Sequence, residues 1–274
     1  MKLSGKTAIV TGGARGIGAG IARCLAEEGA RVAIFDVDVA EAEKTAASLG
    51  RDSIGVAVDV STESAAAEAT AKVVARFGGL DIFVNNAGAG KGDSRDFLGL
   101  GNPFTNMTQE GWDAQIENNL RTTFAGCKAA IPHLEKRGGG SIVNIASIAG
   151  LLATPALPAY GAAKAGVIAL SRTLALELGP KNIRVNAICP GFLWTRAWEM
   201  LATLMKMGVP EYANVDPRDI FLDQVKRGVP LGREQTPEDI GKLTAFLVSD
   251  DAGNITGQAI SVDGGITLKV GVGG

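Results

Sequence analysis

The chain has 274 residues, 46% hydrophobic and 20% charged, with a net charge of −2. That length supports a core needing neither disulfide nor metal, and the balance of charge excludes the basic excess of a nucleic-acid binder. Three cysteines (Cys24, Cys127, Cys189) stand singly among apolar residues beside one histidine, His133, so neither a disulfide framework nor a zinc ligand set can be drawn. No metal is expected, and the thiols read as buried groups in a reducing cytosol. Thr7–Val10 is too short for a signal-peptide core and leads straight into glycines. No apolar run approaches the roughly 20 residues of a membrane span. A cytoplasmic protein without membrane or nucleic-acid partners is expected.

From the N-terminus, short β-branched runs alternate with helix-period stretches. Strands are predicted over Thr7–Thr11, Arg31–Asp36, Ile54–Asp59, Leu80–Asn85, Gly140–Ala146, Arg184–Cys189 and Gln258–Val262. Helices are predicted over Ile17–Glu28, Val39–Leu49, Glu63–Phe77, Thr108–Arg137, Tyr160–Leu178 and Pro237–Val248. Nearly all-apolar strands alternating with helices define an α/β class: a doubly wound, Rossmann-type parallel sheet of seven strands, covered on both faces. Ligands of such sheets bind at the carboxyl ends of the strands. No repeat or linker divides the chain, so residues 1–274 are expected to form one domain.

Two segments exceed this plan. Ala89–Met107 is glycine-rich and follows the fourth strand. Phe192–Leu231 follows the sixth and carries Trp194, Trp198, Met200, Leu204, Met205, Met207, Tyr212 and Phe221. Both leave from carboxyl ends of strands, where long excursions often serve as active-site lids. The alternative for the second is a surface insert packed on a small core of its own.

Gly12, Gly16 and Gly18 lie between the first strand and first helix, in a Thr-Gly-x-x-x-Gly-x-Gly pattern. Glycines there let the backbone turn tightly and approach a pyrophosphate, whose charge meets the free N–H groups of the helix N-terminus. Asp36 follows Gly18 by 18 residues, at the end of the second strand. A carboxylate there accepts both adenosine ribose hydroxyls and repels a 2′-phosphate, which favours NAD over NADP. Arg15 pulls the other way, as a basic loop residue able to pair with that phosphate. Asp36 carries more weight, because Val37 rather than an arginine follows it. Gly90-Lys91 is not a phosphate loop, since Asn85 stands where the required glycine would be and Gly92 follows the lysine.

Tyr160 and Lys164 are four apart on a predicted helix, so they share a face with Cβ atoms roughly 5–6 Å apart. An ammonium at that range can lower a phenol's pKa by about 1–3 units and make it a usable base. Ser147 ends the fifth strand, 13 residues earlier, and its hydroxyl could hold a carbonyl oxygen. Asn119 borders the apolar stripe Trp112, Ile116, Leu120, Phe124, Cys127, Ile131 and Leu134. It is either a surface residue or a buried one with a specific partner, and the pattern leaves both open.

With these motifs the chain resembles the short-chain dehydrogenase/reductase family over nearly its whole length. Thr11–Gly18, with Arg15 and Ile17 inside it, is similar to that family's cofactor loop, and Asp59-Val60 to its adenine contact. Asn85-Asn86-Ala87-Gly88 resembles the segment that supports the central strand and runs along the nucleotide. The resemblance makes Asn119, Ser147, Tyr160 and Lys164 a catalytic tetrad. It makes Pro190, Gly191, Leu193 and Thr195 the nicotinamide-side loop. Tyr-x-x-x-Lys fits the family's classical group, whereas the related enoyl reductases separate these residues by six. The departures, Ala89–Met107 and the size of the Phe192–Leu231 segment, fall on substrate choice.

The expected activity is NAD-dependent interconversion of a secondary alcohol and a ketone, tilted towards oxidation. The tryptophans and methionines of the lid favour an apolar, cyclic or aromatic small-molecule substrate. A 3-oxoacyl-thioester reductase is the alternative enzyme, and an NAD-binding regulator or a structural subunit the non-enzymatic ones. Apolar residues beyond one stripe on the helices Thr108–Arg137 and Tyr160–Leu178 (Val167, Leu170, Leu174 and Leu178 on the second) suggest self-association. The resemblance points to a homotetramer whose second interface uses Gln258–Val262.

Overall fold

The computed structural model describes residues 1–50, 52–88 and 103–269. Among these residues lies one seven-stranded sheet in the order β3-β2-β1-β4-β5-β6-β7. The strands are β1 (Thr7–Thr11), β2 (Arg31–Asp36), β3 (Ile54–Ala57), β4 (Ile82–Asn85), β5 (Gly140–Ile145), β6 (Ile183–Pro190) and β7 (Ala259–Val262). Every neighbouring pair is parallel. The order reverses between β1 and β4, which opens a crevice at their carboxyl ends. β3 stops two residues earlier than predicted because the Asp59 carboxylate accepts from the Ser61 N–H and hydroxyl, at 3.1 and 2.6 Å, and turns the chain.

The helices are α1 (Gly16–Glu27), α2 (Val39–Leu49), α3 (Glu63–Phe77), α4 (Gln109–Ile116), α5 (Thr122–Arg137), α6 (Pro158–Leu178), α7 (Arg196–Gly208), α8 (Pro217–Gly228) and α9 (Pro237–Val248). Their starts carry local signals. Asp38 caps α2 by accepting from the Glu41 N–H, and Thr236 with Asp239 forms a capping box on α9. Alternation along β1 sends Ala8 and Val10 to one face and Ile9 to the other. The first face packs on Ile21, Leu25, Ile240 and Leu247 of α1 and α9. The second packs on Val73, Phe77, Leu134, Leu174 and Leu178 of α3, α5 and α6. Each fully buried aliphatic side chain contributes roughly 1.5–3 kcal/mol. No helix of the described residues is long and apolar enough to cross a membrane.

Three expectations need correction. The predicted helix Thr108–Arg137 is interrupted by a π-helical turn, Glu117–Arg121, between α4 and α5. The Asn119 amide donates to the Gln115 carbonyl at 3.0 Å, taking the acceptor that a regular α-helix would use, and the ladder widens there. Secondly, Val167, Leu174 and Leu178 are buried against the sheet and are not surplus apolar surface. The exposed large apolar residues on α5 and α6 are Phe124, 41% exposed, and Leu176, 84% exposed.

The third concerns Phe192–Leu231. It leaves the carboxyl end of β6, as expected, but it also packs a core of its own: Ala202, Tyr212 and Ile220 with Met205, Val209 and Val215. Its aromatic residues pack largely on one another. Trp198 lies edge-on to Phe192 at 4.6 Å and to Phe221 at 5.1 Å, and Trp194 lies 5.3 Å from Phe221. Of Ala89–Met107, residues 89–102 lie outside the described residues. Phe104–Asn106 forms one short turn leading into α4.

Candidate active site

The glycine loop follows from close approach. Gly12 has φ +59°, and a Cβ on it would lie 2.9 Å from the Ala87 Cα. A Cβ on Gly18 would lie 2.2 Å from the Gly12 carbonyl oxygen and 2.6 Å from the Asn86 amide nitrogen. Only a hydrogen fits at either position. Gly16 has φ +54° and opens onto free space, and no side chain caps the α1 N-terminus behind it. The loop is held from β4: the Thr11 hydroxyl accepts from the N–H groups of Asn86 and Ala87, both at 3.0 Å. The Asn86 amide donates to the carbonyls of Thr11 and Gly12, also at 3.0 Å. Ile17 packs inward on the α1 core. The result is a backbone cradle ending on a helix N-terminus, the construction that fits a pyrophosphate.

At the adenosine end, Asp36 accepts from the N–H groups of Ala14 and Asp38, each at 3.1 Å. Arg15 does not stand free. Its guanidinium lies 2.7 Å from Asp38 and 3.7 Å from Glu41. The Glu41 N–H and Arg15 hold the Asp38 carboxyl below its usual range, and Asp38 raises Arg15 in turn. Val37, Asp38, Ala57, Val58 and Asp59 line a cleft of about 580 Å³ beside this carboxylate ring. Val60, just beyond, is buried in the second core face.

Between β5 and α6 the sequence-predicted proton-transfer groups come together. Ser147 follows β5 and begins a short turn, its oxygen accepting from the Ala149 N–H at 3.1 Å. Tyr160 lies in the first turn of α6. Lys164 is buried, its Nζ donating to the Ile145 carbonyl at 3.0 Å and lying 5.7 Å from the Tyr160 ring centre. Burial pushes the Lys164 ammonium down to about 8. Burial also raises the Tyr160 phenol, with the Ser147 hydroxyl acting against it. The phenol is thus raised, not lowered as the spacing suggested, because burial outweighs the Ser147 hydroxyl. Asn119 is buried, the second of the two readings its pattern left open. Its amide nitrogen is held by Gln115 through the carbonyl at 3.0 Å and the side chain at 3.3 Å. A Cβ on Gly88 would lie 3.1 Å from the Asn119 Oδ1 and 3.5 Å from the Lys164 Nζ, so Asn119, Gly88 and Lys164 meet at one point.

Pro190 ends β6, and the Gly191 N–H donates to the Val262 carbonyl at 3.0 Å and to Gln235 Oε1 at 2.8 Å. Leu193 is buried in the first core face and bridges to Gln235. Thr195 caps α7 by accepting from the Trp198 N–H at 3.4 Å. Gln235 was not singled out in the sequence, where it stands outside any motif. Neither was its neighbour Glu234, which holds Arg218 through both guanidinium nitrogens. Arg218 also lies over the Trp194 and Phe221 rings, at 5.1 and 5.2 Å. Residues 234–235 therefore tie the helical insert to the loop after β6.

A doubly wound sheet with a glycine cradle at its switch point, and a Ser-Tyr-Lys cluster beside it, is the construction of a nucleotide-dependent oxidoreductase. A family profile described as Enoyl-(Acyl carrier protein) reductase matches residues 12–267. The 3-oxoacyl-acyl-carrier-protein reductase FabG of Chlamydia muridarum is 41% identical over 96% of this chain and 98% of its own. The D-threitol dehydrogenase of Mycolicibacterium smegmatis is 37% identical over 98% of this chain and 95% of its own. The crystal structure of levodione reductase superposes with a TM-score of 0.85 at 32% identity, covering 98% of this chain and all of that one. The chain belongs to the short-chain dehydrogenase/reductase family.

Proposed function

We propose that the protein is an NAD-dependent oxidoreductase interconverting a secondary alcohol and a ketone, through Asn119, Ser147, Tyr160 and Lys164. The observation that carries this reading is the convergence of Ser147, Tyr160 and Lys164 beside the glycine cradle. Gly12, Gly16 and Gly18 would admit the pyrophosphate, Asp36 the adenosine ribose, and Asp59-Val60 the adenine. Asn86, Ala87, Gly88 and the Pro190–Thr195 loop would flank the nicotinamide end. A nicotinamide cofactor bound there would supply the hydride chemistry. Ser147 holds the substrate oxygen, and the Tyr160 phenolate takes its proton. Lys164, released from the Ile145 carbonyl, would hold the cofactor ribose, and its charge would face the phenolate and offset the effect of burial. Asn119, with its amide nitrogen fixed by Gln115, offers Oδ1 as an acceptor to the water through which the proton departs.

The acidic ring of Asp36, Asp38 and Glu41 supports NAD over NADP, since Arg15 is already paired within it. The apolar insert supports a cyclic or aromatic alcohol, and the likeness to levodione reductase fits a ketone-reducing relative. The second reading, a 3-oxoacyl-thioester reductase, is favoured by the 41% identity to FabG. The two are separated by rates with NAD⁺ and NADP⁺ on cyclic and aromatic secondary alcohols, set against NADPH oxidation by a 3-oxoacyl thioester. Faster turnover of the thioester with NADPH would overturn the first reading.

The assembly proposed is a cytoplasmic homotetramer of single-domain subunits. Ile116, Leu120, Phe124 and Leu170 line a groove of about 1010 Å³ between α4–α5 and α6, which a second copy could fill. The last strand, β7, would form the second contact.

A further inference from the structure

Catalysis by this site requires Tyr160 and Lys164, on α6, to sit at a fixed height relative to Ser147, which β5 delivers. Most of what joins α6 to the sheet is apolar, through Val167, Leu174 and Leu178. Such contacts are non-directional and define the axial position of a helix only loosely. Lys164 cannot define it either, because its long stem is adaptable and its head group has work at the cofactor.

One further polar contact joins the same face of α6 to β5. Tyr160, Lys164, Val167 and Ser171 follow each other at spacings of four, three and four, a single helical stripe. Asn144 Nδ2 donates to the Ser171 hydroxyl oxygen at 2.8 Å, and that hydroxyl donates to the Val167 carbonyl at 2.7 Å. Asn144 is itself held, its Oδ1 accepting from Asn85 Nδ2 at 2.8 Å across the paired strands β4 and β5. Asn85, Asn144 and Ser171 are each at most 3% exposed. Hydrogen bonds so deep in an apolar interior are directional and costly to break. Asn144 stands three residues before Ser147, and Asn85 directly before Asn86, which holds the glycine loop.

We propose that the buried chain Ser171–Asn144–Asn85 pins the register of α6 against β5 and β4, and so sets the height of Tyr160 and Lys164 over Ser147 and the cofactor. These are positioning residues, and none of them touches substrate. The inference rests on Tyr160 being the proton-transfer group, but its test needs no substrate. The chain has two tyrosines, so Tyr212→Phe leaves Tyr160 as the sole phenol. In that background, with NAD bound, the tyrosinate absorbance is titrated with and without Ser171→Ala, and kcat and NADH affinity are measured alongside. Loss of the pin moves the phenol away from the groups that stabilise its charge. The expected result is an upward shift of the titration by about one unit. On any alcohol the enzyme turns over, kcat falls by about tenfold to a hundredfold, with NADH affinity little changed. If the Ala variant fails to fold, Ser171→Cys, which fills the same space but accepts a hydrogen bond weakly, is read in the same way. An unmoved titration midpoint, with or without a lower Tm, overturns the proposal. Failure to find an alcohol substrate would count against the proposed function while leaving this readout intact.

Discussion

Asp36→Ser tests the cofactor reading most directly, and its size follows from the geometry at the end of β2. The carboxylate is fixed by the N–H groups of Ala14 and Asp38 and does not swing away from an incoming 2′-phosphate. Two unit charges ~5 Å apart at an effective dielectric of ~20 interact by roughly 3 kcal/mol. Removing Asp36 should therefore raise kcat/KM for NADP⁺ by about a hundredfold, at ~1.4 kcal/mol per tenfold. The same change removes a charged acceptor for the ribose hydroxyls, worth about 1.5–3 kcal/mol to NAD⁺. Both effects move the ratio of kcat/KM values towards NADP⁺. The shift stays incomplete, because Asp38 and Glu41 still occupy Arg15. Adding Asp38→Ser should leave Arg15 only its longer contact with Glu41, make it more available to the phosphate and move the ratio further than either change alone. Thermal stability should barely respond to breaking Arg15–Asp38, since an exposed ion pair contributes little. Steady-state kinetics with both cofactors decide it. A parent enzyme that prefers NADP⁺, or a ratio unmoved by Asp36→Ser, refutes the reasoning.

Tyr160→Phe keeps the ring and removes the ionisable group, so turnover should fall by ~10²–10⁴-fold. Fluorescence titration should show NADH binding nearly as before. Lys164→Met should inactivate the enzyme yet raise the Tm of the cofactor-free protein near neutral pH. Burial lowers the folded pKa of Lys164 to about 8 from 10.5, so the unfolded chain binds more protons between those values and parent stability rises with pH across that window. The advantage of Met, no more than about 3 kcal/mol, should therefore shrink between about pH 8 and pH 10.5; a gain independent of pH in thermal melts would contradict the cause assigned. Phe124→Glu places a charge in the groove beside α6 without entering the core, unlike a charge at the buried Leu174. By light scattering it should reduce a fourfold mass, and a parent mass near 28.1 kDa would end the proposed assembly.

Much of this protein can be read from local pattern. A parallel strand buried on both faces has to be an apolar run, and a crossover helix has to show a stripe, so most elements lie within a few residues of prediction. The glycine cradle was legible because close backbone approach admits only glycine, and the Tyr160–Lys164 spacing because helix geometry fixes it. What only the tertiary structure decided are contacts between residues distant in sequence or with the backbone. Arg15 read as a free cation until α2 brought Asp38 and Glu41 against it. Lys164 read as a partner for the phenol, but burial and the Ile145 carbonyl hold its charge elsewhere. The π-turn at Asn119 depends on a side chain competing for a main-chain acceptor, and periodicity carries no trace of that. Asn144 and Ser171 belong to no motif in the sequence, and only strand pairing and helix docking made them neighbours. Periodicity and steric exclusion act along the chain and so are written in it. Pairing of buried polar groups acts across it, and becomes visible only when the sheet has brought the partners together.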